Sequence, residues 1–283
     1  MILIRKFLFL LPLLFCSAPS DAQEIYEVNR WVSGGITAAG VAASIAAYPH
    51  NFWKPDISDS EFTAIDKNKI SGIDSWGLEQ PPAERDYYEI YSTGLQGLCN
   101  LFPLFLGYDE RMKSERLDLF LMYLEVSAVT LTIYQVSPLG PLFQDKYRPI
   151  VYYDNYTREN RKTGYNRNSF YSGHTAAAAA SIFFAAKVYT DYHPELGKNK
   201  YFFFGAAMIP PLLVGYFRLR ELMHFPSDIL IGFGIGALCG IGIPEIHRLV
   251  ARNSIPTKIS SAKVNGWSVG ITYQGSGWNL FFR

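Results

Sequence analysis

Six apolar segments separated by polar stretches set the pattern of this chain: Trp31–Ala47, Tyr91–Gly107, Leu117–Val136, Thr175–Tyr189, Tyr201–Phe217 and Ile229–Ile246. Several approach the ~20 residues that a bilayer-crossing helix needs. The last carries Gly232, Gly236 and Gly240, two overlapping small-xxx-small patterns that suit close helix packing. Leu117–Val136 contains Glu125, which must face a helix neighbour or a polar cavity if that segment crosses a membrane. The pattern predicts an all-α fold, a membrane-embedded bundle of about six apolar helices. A soluble bundle whose core helices resemble spans is the alternative.

The two ends read differently from the middle. "MILIRKFLFLLPLLFCSAPSDAQ" has Arg5 and Lys6, an apolar core from Phe7 to Phe15 and small residues that allow cleavage after Ala22, so residues 1–22 read as an export signal. A helical domain, residues 23–250, follows. In the tail, residues 251–283, Trp267, Val269, Ile271 and Tyr273 alternate with smaller or polar residues before "QGSG" and "WNLFF". That alternation, broken by a glycine-rich turn, predicts a β-hairpin.

Loop charge gives an orientation. "DERMKSER" (Asp109–Arg116) and "HPELGKNK" (His193–Lys200) hold Lys and Arg and belong inside, by the rule that these residues collect on the cytoplasmic side. The acidic stretch Asn51–Glu89, the segment Ser137–Gly173 and the connection "RLRELMHFPSD" then lie outside. A cleaved leader would instead start Trp31–Ala47 outside and send it inward, so the sequence leaves the course of that segment open.

Composition excludes more than it identifies. With 26 Lys and Arg against 25 Asp and Glu, the net charge is +1 over 283 residues, and no basic stripe with interleaved aromatics invites nucleic acid. Cys16, Cys99 and Cys239 share no CxxC spacing, which speaks against a disulfide framework or a zinc site. Nothing in the pattern demands a protein partner.

Chemistry gathers in three places on the outer side. "DKYRPIVYYD" supplies Arg148 before Pro149. "NSFYSGHTAAAAA" places Ser172, Gly173 and His174 where an Ala-rich helix begins. Ser172 caps that helix, the free N–H groups of its first turn favour an anion, and Gly173 admits a ligand close to the backbone. His174 stands at the edge of this anion site as a proton donor. In "YFRLRELMHFPSDIL", Arg218 ends one apolar segment, His224 follows and Asp228 opens the next. On one helical turn His224 and Asp228 share a face, so Asp228 is expected to hold one ring nitrogen of His224 and leave the other free as a nucleophile. The stretch Asn51–Glu89 offers no evident chemistry.

At these residues the sequence resembles the type-2 phosphatidic-acid phosphatase superfamily, which includes lipid phosphatases, bacterial periplasmic acid phosphatases and vanadium haloperoxidases. The resemblance covers about Asp145 to Asp228. "SGH" matches in full, and Arg218, His224 and Asp228 match the last motif, with Phe217 where the family usually has serine. In the first motif Pro141 stands where the family has a lysine seven residues before Arg148, and Lys146 or Arg167 is the candidate to replace it.

The resemblance implies a phosphatase without metal or other cofactor, working through a phosphohistidine. His224 attacks phosphorus, Asp228 orients it, and His174 protonates the leaving oxygen and then activates water. Arg148, Arg218, Ser172 and the Gly173 N–H bind the phosphoryl oxygens, with Lys146 and Arg167 as further candidates.

Apolar helices around an outward-facing site suggest a phosphorylated lipid in the membrane of a bacterial envelope, with the site facing the periplasm. Lipid A, an isoprenyl diphosphate and phosphatidylglycerol phosphate are the types considered. The reaction is then phosphoric monoester hydrolysis, or anhydride hydrolysis for a diphosphate. The leader, "SFYSGHTA" and the aromatic tail resemble exported relatives in Bacteroidetes-type bacteria, some of which dephosphorylate lipid A. A soluble periplasmic acid phosphatase acting on small phosphomonoesters shares the same residues, and a non-enzymatic envelope protein is the rival from a different class.

Overall fold

The structure, a computed structural model, describes residues 25–82, 85–254, 257–264, 267–274 and 277–282. The expected leader, residues 1–22, lies outside them. Nine α-helices are described: α1 (Arg30–Phe52), α2 (Asp59–Thr63), α3 (Arg85–Leu101), α4 (Arg116–Val136), α5 (Arg158–Lys162), α6 (Gly173–Tyr192), α7 (Lys200–Ala207), α8 (Ile209–Arg220) and α9 (Pro226–Ser254). This exceeds the expected six for two local reasons. Pro210 and Pro211 supply no N–H to the preceding turn, so the fifth apolar segment breaks at Met208 into α7 and α8. The polar stretches at the site end add the single-turn helices α2 and α5, each started by a side-chain cap, Ser58 and Thr157.

α6 is the axis of the bundle. Fourteen of its 20 residues are buried, more than any other helix devotes to the interior, and α3, α4, α8 and α9 surround it. Its run of alanines lets them approach closely. A Cβ placed on Gly236 would lie 2.1 Å from Ala176 O, and one on Gly240 would lie 2.4 Å from Ala180 O. The small-residue stripe of α9 therefore seats directly on the α6 backbone.

Four stretches are long and apolar enough to cross a membrane: Arg30–Phe52, Arg116–Val136, Pro194–Arg220 and Pro226–Asn253. Their outer faces carry exposed Trp31, Ile45, Phe202, Ile209, Leu238 and Ile246. So much unpartnered apolar surface suits a lipid environment and not water. Glu125 is met inside the bundle by His247, whose Nε2 lies 3.0 Å from its carboxylate.

The course of α1 is settled within the bundle. Arg30 pairs with Asp118 at the start of α4, and Asn51 donates to the Gln135 carbonyl at the end of α4, 3.0 Å away. α1 therefore runs the full length of the bundle parallel to α4. It begins at the end that carries the Lys- and Arg-rich loops 109–116 and 193–200.

At the opposite end the chain builds an irregular cap. The 3-10 turns Gly72–Leu78 and Pro149–Tyr152 pack together there around Ile57, Ile150, Val151, Leu222 and Phe225. The tail backbone forms an antiparallel sheet in the order β1 (Thr257–Val264), β2 (Trp267–Gln274), β3 (Gly277–Phe282), with Gln274 opposite Gly277 at the second turn.

Candidate active site

Three chain segments converge under that cap. Ser172 starts α6: its Oγ accepts from Thr175 N at 3.4 Å and lies 2.9 Å from Thr175 Oγ1. Its own N–H donates to Asp228 O at 3.0 Å, which ties the start of α6 to the start of α9. A Cβ on Gly232 would lie 2.4 Å from Ser172 O, so α9 can come this near only as glycine. On the other side Gly173 faces the Tyr134 ring, and a Cβ there would lie 3.1 Å from it. The expected helix cap is present, and its hydroxyl is already engaged with Thr175.

α8 ends at Arg220, and Leu222 takes a left-handed conformation with φ 60°. A branched side chain holds that backbone at a cost of about 1 kcal/mol or more. The reversal it makes returns Met223 and His224 toward α6, and Ile150 N donates to Leu222 O at 3.1 Å to hold it.

His224 is 2% exposed, and its Nδ1 lies 2.5 Å from Ser169 O. A carbonyl only accepts, so Nδ1 carries the proton and Nε2 keeps its lone pair. Here the structure corrects the expectation from sequence, because Asp228 does not hold the His224 ring. Asp228 Oδ2 accepts from Ser169 Oγ at 2.6 Å and from Phe225 N at 2.9 Å. At four residues' separation the carboxylate caps its own helix start, and a segment distant in sequence reaches the imidazole instead.

Two arginines face the same space. The Arg148 guanidinium lies 3.8 Å from the centre of the Tyr165 ring and donates from Nε to Asn168 O at 3.3 Å. Arg218 donates to Glu221 Oε2 at 2.6 Å, and Ser92 Oγ adds a second bond to that oxygen at 3.0 Å. Both arginines are nearly inaccessible, at 2% and 3% exposure, so their charges act in a poorly hydrated setting.

Lys146 and Arg167 are not in this space. Lys146 Nζ donates to Asp228 Oδ1 at 2.7 Å and to Asp74 Oδ2 and Ser227 Oγ, both at 3.0 Å. It neutralises the buried Asp228 from behind. Arg167 is bound by Glu61 at 2.8 Å, by Asp145 at 3.0 Å and by the Pro55 carbonyl at 3.0 Å. Each cation found a carboxylate near in space that sequence distance concealed. Arg148 and Arg218 are thus the cations on the cavity wall among the described residues.

That cavity has a volume of about 360 Å³ and is bounded by Gly173, His174, His224, Arg148, Arg218, Tyr134 and Tyr165 at one end. Burial and then the neighbouring Arg218 and Arg148 push the His174 imidazole down to about 3, and the same causes hold His224 well below its ordinary 6.5. Both residues stand outside the four membrane-length stretches. A space with two buried guanidiniums, a helix start and two neutral imidazoles is complementary to an anion that brings charge and a proton with it. Among the described residues no group of three His, Cys, Asp or Glu side chains gathers as a metal site.

The family model of the PAP2 superfamily matches residues 120–252. That match supports membership of the PAP2 superfamily. Membership implies phosphatase activity, and the apolar helices point to lipid-type substrates. No curated protein and no solved structure matches the chain. Of the residues that the structure brings to the cavity and its supports, sequence reasoning missed Ser169, Tyr134, Tyr165 and Asp74. Ser169 stands three residues before Ser172 and was legible as part of the same polar run. Tyr134 and Tyr165 look like ordinary aromatics in the sequence, and Asp74 lies in the stretch that offered no chemistry.

Proposed function

We propose that this protein hydrolyses phosphate from a phosphorylated lipid of a bacterial envelope through a phosphohistidine, with the site open to the periplasm. The observation that carries this reading is the His224 ring, held by Ser169 O so that its unprotonated Nε2 shares a cavity with two buried arginines and His174.

In the first step the Nε2 lone pair forms the N–P bond as the P–O bond to the lipid breaks in line. Arg148, Arg218 and the N–H groups at the start of α6 take the charge on the phosphoryl oxygens. Burial first, and then repulsion from the arginines, keeps His174 neutral. An anion bound between the arginines offsets that repulsion and attracts the proton, so His174 gains a proton on loading and gives it to the leaving oxygen. In the second step His174 takes a proton from water as the water oxygen attacks phosphorus and the N–P bond breaks. Inorganic phosphate leaves and His224 is regenerated.

Asp228 contributes at one remove, through Ser169. The lipid substrate fits the exposed apolar flanks of the bundle, which a soluble phosphatase would not carry. Lipid A, a lipid diphosphate and phosphatidylglycerol phosphate are the substrates to try first.

The test is phosphate release by the detergent-purified protein, wild type beside His224→Ala. Phosphatidic acid, an isoprenyl diphosphate, lipid A and p-nitrophenyl phosphate are the substrates. Release from a lipid, absent in the variant, supports the reading. Release from p-nitrophenyl phosphate alone supports a small-molecule acid phosphatase, and no release from any by folded protein defeats both.

A further inference from the structure

The cavity does not end at Arg148, Arg218 and the two histidines. From His174 it continues into the bundle along one face of α6, past Ala177 to Ser181, positions three and seven residues on. Alanine leaves room there, and α3 and α4 close the slot. Its floor is polar. Tyr123 OH donates to Asn100 O at 2.7 Å and lies 2.9 Å from Ser181 Oγ, and Ser181 Oγ lies 3.1 Å from Asn100 Oδ1. Gln96 stands one turn before Asn100 on α3 and also lines the slot. Its side-chain amide and the Asn100 Nδ2 make no hydrogen bond among the described residues.

A slot for hydrocarbon would be lined with Leu, Val and Phe, because amides facing a lipid chain lose hydrogen bonds to water without replacement. The large apolar recess between α3, α6 and α7, lined by Leu95, Phe102, Ile182 and Phe203, shows that lining elsewhere in the same bundle. The slot beside His174 is different in kind. It also opens beside His174, the group proposed to protonate the departing oxygen. A volume of about 360 Å³ sits at the small end of ligand sites, with room beyond one phosphoryl group.

We infer that Gln96 and Asn100 form a leaving-group subsite for a head group carrying free hydroxyl or amide groups next to the phosphoester, such as a glycerol or a sugar. This rests on the phosphatase reading and narrows its substrate class. The hydrocarbon of the lipid then begins only beyond that head group. A diphosphate, whose leaving group is a second phosphate, is disfavoured, since no cation lies in the slot among the described residues.

The experiment compares 1-O-dodecylglycerol 3-phosphate with dodecyl phosphate in the full-length detergent-purified protein. A site that hydrogen-bonds a substrate hydroxyl rejects the analogue without it, so kcat/KM is expected to favour the glycerol compound by on the order of tenfold to hundredfold. Gln96→Leu gives up no described internal bond and is expected to bring that ratio to within about threefold of unity. Gln96→Glu and Asn100→Ser serve as second variants should the first fold poorly. Equal rates on the two substrates in wild type, or a ratio unchanged in every folded variant, overturn the subsite and leave the phosphatase reading standing. Failure to hydrolyse either substrate, while phosphatidic acid or lipid A is cleaved, overturns the subsite alone; failure on these as well defeats the phosphatase reading and the subsite with it.

Discussion

Asp228 supports His224 through Ser169: the carboxylate accepts from Ser169 Oγ at 2.6 Å, and the Ser169 carbonyl lies 2.5 Å from His224 Nδ1. A direct carboxylate–imidazole contact would stabilise a positive ring strongly. A carbonyl fixes the tautomer and the ring plane with less charge. Ser169→Ala keeps the carbonyl and removes only the tether, so kcat is expected to fall on the order of tenfold, with KM little changed. Asp228→Asn removes the charge that holds Lys146 as well and is expected to cost more. Steady-state kinetics on one lipid substrate check this, and an undiminished Ser169→Ala would detach Asp228 from the reaction.

Lys146 and Arg148 are two residues apart and do opposite work. Lys146 balances Asp228, which is fully buried, whereas Arg148 faces the cavity. Removing the half-buried Lys146 leaves the buried Asp228 carboxylate without its cation, so Lys146→Met is expected to lower unfolding stability by about 2 kcal/mol while changing KM little. Arg148→Met is expected to raise KM on the order of tenfold or more, with a smaller loss of stability. Denaturant midpoints in detergent, read beside KM, separate the two roles. A large KM effect from Lys146→Met would return it to the phosphate site.

These cases show what the sequence could and could not convey. Ser172 at the start of α6, the glycine stripe of α9 and the three motif segments were legible because each depends on neighbours within about one helical turn. Lys146 and Arg167 were misplaced because their partners, Asp74 and Glu61, sit 72 and 106 residues away. Charge pairs across such distances leave no local pattern. The cap built from Asn51–Glu89 was missed for the same reason: Asp74 accepts from Ser227 N at 2.9 Å and so fixes the start of α9, but no spacing announces it. The break at Met208 was visible in Pro210 and Pro211 and outweighs the continuous apolar run.

The two imidazoles predict a pH response with a definite sign. His174 is held down to about 3 and His224 well below 6.5 by burial and the two arginines. Below pH ~6.5 the unfolded chain binds protons at both that the empty folded site refuses, so stability is highest above ~6.5 and falls as pH drops toward 3. An anion between the arginines reverses the balance at His174 and brings a proton in. Sulfate stays a dianion across this range, so its affinity is expected to rise as pH falls from 7 to 5, by up to about tenfold per unit. His174→Ala is expected to flatten that dependence. Thermal melts with graded sulfate at three pH values measure it, and a pH-independent affinity in wild type would mean that His174 takes up no proton.

The direction of α1 ties the orientation of the site to that of the whole bundle. Arg30 lies at the end with the loops 109–116 and 193–200, and Phe52 lines the cavity of the candidate site at the other. Lys and Arg in those loops favour the cytoplasmic side, which puts the cavity mouth outside and residue 25 inside. A leader cleaved after Ala22 would put residue 25 outside and, through the same helix, turn the cavity inward. One bundle cannot satisfy both. Loop charge acts on every crossing, so the outward cavity is the expected result. Cysteine placed at Lys67 should react with a membrane-impermeant maleimide in intact cells, while cysteine at Lys198 should react only after lysis. The reverse pattern would turn the site to the cytoplasm and require its lipid phosphate in the inner leaflet.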